Sequence, residues 1–169
     1  MKVLSNWLRK RAVLIVMILA AVVVVSCTSI DCPINNLVRT HFQFTNSAGD
    51  SLKLTDSLKI VSARKDGRDT VVFLGTQMAK FHVPISYSHP EDKLVLSFFG
   101  EGLNVVDTLW IKKEDIPHFE SVDCNATYFH HLTDIRHTHN ILDSVAIINP
   151  SVTNDEGVVH VYLYPKTDD

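Results

Sequence analysis

The chain has 169 residues, a formal net charge of -3 and 46% hydrophobic residues, with 19 acidic and 16 basic side chains. That length fits one domain with a sizeable core. Four basic residues and no acidic ones precede residue 27, so the remainder holds 12 basic against 19 acidic side chains, a net -7, and lacks the cationic footprint that nucleic acid requires.

The first element is a leader. Lys2, Arg9, Lys10 and Arg11 precede an unbroken apolar run from Ala12 to Val25, 14 residues long. That is short for a bilayer span and suits the apolar region of a signal peptide. Val24-Val25-Ser26-Cys27 then reads as a lipobox. Residues 1–26 are expected to be a lipoprotein signal peptide, with Cys27 the lipidated first residue of the mature chain. Residues 27–36 form a short tether and 37–169 a single β domain. The acidic mature part makes acyl chains, rather than charge, the membrane anchor. Thr28 after Cys27 is not the Asp that favours inner-membrane retention in enteric systems, so the outer membrane is expected. The single acid in Thr28-Ser29-Ile30-Asp31 favours the periplasmic face over the cell surface.

With Cys27 acylated, Cys32 and Cys124 remain as an even pair in an oxidising compartment, which favours a disulfide between them. Two free buried thiols, or a metal or redox role, are the alternatives. Neither cysteine lies in a CxxC.

From residue 37 the pattern has period two, the signature of strands. Candidate strands lie near 37–44, 57–62, 69–75, 81–87, 94–98, 105–112, 128–138, 143–149 and 159–164. Leu58 and Ile60, then Phe81, Val83 and Ile85, then Leu94, Leu96 and Phe98, and finally Val159, Val161 and Leu163 are the apolar sets. Turn residues such as Ser47-Ala48-Gly49-Asp50 and Gly100-Glu101-Gly102 separate the strands. Pro84 belongs on an edge strand or at a bulge. Pro117 and a mixed pattern make 113–127 a loop. The expected fold is all-β, an antiparallel β-sandwich of about eight to nine strands, with a barrel as the alternative.

Asp followed by Ser or Thr and then Leu or Val recurs at Ser51, Ser57, Thr70, Thr108 and Ser144. Strand-entry chemistry explains this, because Asp satisfies turn backbone before a pleated run. The triplets also resemble the periplasmic O-glycosylation motif of Bacteroidota, which would make those five hydroxyls sugar acceptors.

All nine histidines follow residue 27. His137 and His139 form an HxH pair able to chelate zinc or copper, and His131 has the same parity. A pH-sensitive polar cluster and an ordinary surface role are the alternatives. Trp110, Tyr162 and Tyr164 are candidates for a sugar- or peptide-stacking strip; cross-strand pairing is the alternative. GxSxG, HExxH, Walker and GxGxxG motifs are absent, so no catalytic residues and no cofactor are expected.

Three segments carry a resemblance: the lipobox with Asp31-Cys32-Pro33 and Asn35-Asn36; Val83-Pro84-Ile85-Ser86-Tyr87; and His118-Phe119-Glu120-Ser121-Val122-Asp123-Cys124 continuing to Leu142-Asp143-Ser144-Val145. Together they resemble an uncharacterised family of small Bacteroidota lipoproteins, a domain of unknown function. The resemblance implies a cell-envelope lipoprotein with Cys32 and Cys124 as family features, and no activity. The expected role is a non-enzymatic structural or accessory partner of an outer-membrane protein complex. A glycan- or peptide-binding module and a histidine-based metal binder are the alternatives.

Overall fold

A computed structural model describes residues 37–63, 67–100 and 102–166, together with Trp7, Arg11, Val13, Ile15 and Met17. The chain divides into two compact units, Met1–Cys32 and Pro33–Asp169. In the first, the five described residues are helical, and the Arg11 guanidinium lies 3.7 Å from the Trp7 ring centroid. Among the described residues no helix is long and apolar enough to cross a membrane. Cys27 and Cys32 lie outside the described residues.

The second unit is all-β. Its described strands are β1 (Arg39–Phe44), β2 (Ser57–Ser62), β3 (Thr70–Thr76), β4 (Lys80–Pro84), β5 (Glu91–Gly100), β6 (Leu103–His118), β7 (Thr127–His137), β8 (Leu142–Ile147), β9 (Ser151–Val152) and β10 (Val161–Pro165). They form a four-stranded sheet of order β4-β1-β10-β8 and a six-stranded sheet of order β3-β2-β5-β6-β7-β9. Every pairing is antiparallel except β1 with β10.

Alternation explains the packing. Leu58, Ile60, Leu94, Leu96, Phe98, Leu109 and Ile111 point inward from the larger sheet. Phe42, Phe44, Phe81, Val83, Val161 and Leu163 meet them from the smaller one. Phe44 crosses between the sheets to meet Phe98 edge-on, with ring centroids 6.2 Å apart. Burying each such side chain contributes about 1.5–3 kcal/mol.

Pro84 ends β4, an edge strand, where its missing donor breaks no ladder. The expected loop at 113–127 begins later than its sequence suggests, because β6 continues to His118, paired with β7. Pro117 fits there for a geometric reason. The Lys113 amide donates to the Pro90 carbonyl on the β5 side. A two-residue period places the Pro117 nitrogen on that same side, past the last β5 pair at Lys112. The register of β6 and β7 shifts between Lys112 and Lys113, leaving Thr133 unpaired. This bulge reverses the parity of β7, so His131, opposite Glu114, and His137, opposite Leu109, face opposite sides of the sheet.

Candidate functional site

The inward face of β6 is apolar only in its middle. Leu109 and Ile111 are flanked by Asp107 at one end and by Lys113 and Asp115 at the other. Lys113 is 4% exposed. Its ammonium lies 3.2 Å from Asp92 and 3.6 Å from Asp115, and it donates to the His89 carbonyl. His130, opposite Asp115 on β7, donates to that carboxylate through Nδ1 at 2.6 Å. Asp92 also accepts from the Ser86 amide at 3.0 Å, which fixes the loop after β4.

Burial pushes the Asp92 carboxyl up, against the opposing pull of Lys113. Burial pushes His130 down, against the hydrogen bond and charge of Asp115. Buried titratable groups with such shifts mark candidate sites. Here the charges compensate one another, and the network binds β5, β6, β7 and the 85–90 loop together. Desolvation offsets much of the Coulomb gain, so its principal contribution is to specify this arrangement. Sequence reading missed it, because Lys113 and Asp115 fell in the expected loop.

Asp107 is fully buried at the other end of β6. Its carboxylate accepts from the Thr138 hydroxyl at 2.5 Å and from the amides of Asn140, Ile141 and Leu142 at 2.9, 2.8 and 2.8 Å. Burial raises its pKa, but these four hydrogen bonds outweigh burial and hold it below the usual carboxylate value. Asp107 is thus the anchor of the β7–β8 connection.

The structure brings His137 and His139 together, with ring centroids 4.2 Å apart. Each donates to the Asp143 carbonyl, at 3.3 and 3.1 Å. Among the described residues no group of three His, Cys, Asp or Glu side chains has an arrangement able to hold a metal ion. A second histidine group escaped the sequence reading. The rings of His82 and His160 lie 5.3 and 5.7 Å from that of His41. His41 and His82 pair across β1 and β4 and line a cavity of about 160 Å³ with Lys80 and Glu156. Strict alternation with Val159, Val161 and Leu163 inward would place His160 on the outward face with Tyr162. In fact it is 1% exposed, accepts the His41 amide at Nδ1 and hydrogen-bonds the Ser151 backbone. Burial and the neighbouring His41 hold His160 below its ordinary pKa; burial and His82 do the same to His41.

The aromatic candidates do not form one strip. Trp110 is on the outer face of the six-stranded sheet, with the Arg136 guanidinium 5.4 Å from its ring and Glu91 bound to that guanidinium at 2.9 Å. Tyr162 and Tyr164 are on β10 of the other sheet, their rings 6.4 Å apart and edge-on. Of the five hydroxyl candidates, Ser51, Thr70 and Ser144 are exposed, whereas Ser57 and Thr108 are half-buried. The Thr108 amide is bonded to the Thr138 hydroxyl at 2.8 Å. Cys124, in the loop between β6 and β7, is disulfide-bonded.

These features define a two-sheet, all-β domain with a buried ionic network at one end of its longest strand. Residues 57–165 match the Family of unknown function (DUF6452), and the chain belongs to that family. No curated protein and no solved structure matches it.

Proposed function

We propose that the chain is an exported lipoprotein, acylated at Cys27 and held on the outer membrane, whose β domain is a structural or accessory partner of a membrane protein complex. The leader and the lipobox support the anchoring. The observation that carries the partner reading is β3. It is an edge strand, TVVFLGT, with Val71 55% and Leu74 65% exposed; it has no Lys or Pro, and a single bulge at Val72 is the one interruption of its edge. Soluble proteins normally protect such an edge, and a bound partner is one way to do so.

Crosslinking in the native envelope followed by mass spectrometry tests this. A stoichiometric membrane protein should be captured by the natural chain and lost in Val71→Lys with Leu74→Lys, while anchoring persists. Equal capture by both would refute a role for β3, and no capture by either would refute the partner reading. Exposed Ser51, Thr70 and Ser144 remain proposed sugar acceptors, and a Cys32–Cys124 disulfide is the pairing we favour.

A further inference from the structure

Exposed apolar side chains gather at one pole of the domain. β6 ends there, and Ile116, Phe119 and Val122 are 50%, 63% and 97% exposed. β7 departs from the same pole. Near its start Tyr128 stacks on Tyr87 at 4.8 Å, and Phe129 stacks on His118 at 4.5 Å. The chain also enters the domain here: Arg39 pairs with Pro84, and the loop following Pro84 carries Tyr87. Leu37, just before β1, is 53% exposed.

We propose that this pole is a membrane-contact surface, seated on the lipid–water interface of the leaflet that holds the acyl chains of Cys27. The inference rests on the lipoprotein reading above. Chain length supports it, because only residues 27–36 separate Cys27 from Leu37 at this pole, and ten residues reach about 35 Å at most. On the same lipoprotein reading, the cysteines support it as well. Cys124 lies in the apolar loop and is disulfide-bonded, and the only other cysteines in the sequence are Cys27 and Cys32. With Cys27 acylated, Cys32 is its remaining partner, five residues and at most about 17 Å from the lipid.

The side chains suit the location. Stacked tyrosines present an apolar body with a polar tip, the chemistry favoured at membrane interfaces. Phe119 and Val122 supply apolar surface for shallow insertion. Glu120 and Asp123 in the same loop hold it at headgroup depth and favour zwitterionic over anionic lipid. The opposite pole, at the β5–β6 turn, stands a 16-residue strand away, roughly 50 Å.

The test uses the mature, lipidated protein made with its own leader and reconstituted into phosphatidylethanolamine vesicles containing brominated lipid. Tryptophan is introduced as Val122→Trp at the pole, or as Asn104→Trp near the opposite turn, and emission is compared with that of Trp110 alone. The added emission of Val122→Trp should shift to the blue and lose most of its intensity, and that of Asn104→Trp should do neither. If both variants float with the vesicles but remain unquenched, the pole does not touch lipid and the inference is wrong. Quenching of Val122→Trp only by an added protein would assign the pole to that partner instead. If the protein does not float, the anchor itself fails, and the inference with it.

Discussion

Asp107→Ala should destabilise the domain by about 3–5 kcal/mol. The carboxylate satisfies four donors. Removing it leaves the amide of fully buried Leu142 and the hydroxyl of half-buried Thr138 without their acceptor, each at about 1–3 kcal/mol. The amides of exposed Asn140 and half-buried Ile141 can turn to water and add less. For a domain of this size each kcal/mol moves the melting temperature by roughly 2–4 °C, so the midpoint should fall by roughly 6–20 °C. Urea and thermal unfolding measure this at neutral pH. Repeating them in acid tests the cause. A carboxylate held below its unfolded value of 3.8 contributes stability that is present above that value and lost as pH falls beneath it. The gap between natural and variant protein should therefore narrow below that pH. A loss under about 1 kcal/mol, or a gap that persists unchanged in acid, would refute this account of Asp107.

Lys113→Met should cost about 3–5 kcal/mol, because it leaves buried Asp92 without its cation and half-buried Asp115 with His130 alone; adding Asp92→Asn should restore part of that loss in urea unfolding. His160, held below 6.5, contributes stability that is full above that pH and falls as acid is added; a His160→Gln variant should show a flatter stability profile between neutrality and acid. Cys124→Ser should lower stability by at most about 4–5 kcal/mol if the loop closed is about 92 residues, and should leave Cys32 alkylatable without reduction. Alkylation of both thiols in the unreduced natural protein would contradict the pairing.

How much was legible in the sequence depended on which interactions wrote the pattern. Where one face met the core and the other met water, alternation read correctly, as at Leu58–Ile60, Phe81–Ile85 and Leu94–Phe98. Pro84 on an edge followed from its missing donor. β6 was cut short because its inward residues change from Leu109 and Ile111 to Lys113 and Asp115, and polar side chains at inward positions look like a loop. Their partners, Asp92 and His130, are supplied by neighbouring strands that sequence spacing does not reveal. The bulge at Thr133 likewise leaves no composition signal, yet it separates His131 from His137. His160 departs from strict alternation because Ile148 and Asn149, between β8 and β9, and Ser151 of β9 cover a position that β10 alone would leave exposed. Trp110 could not be known to sit on a different sheet from Tyr162 and Tyr164, since strand order is a long-range property.

The central claim is that Cys27 carries the chain's membrane anchor. Metabolic labelling with an alkyne fatty acid, followed by mass spectrometry of the mature N-terminus, tests it most directly. The account predicts a chain beginning at an acylated Cys27, with label and envelope association both lost in Cys27→Ala. An unmodified Cys27 behind an intact leader, or label that survives the substitution, would contradict it.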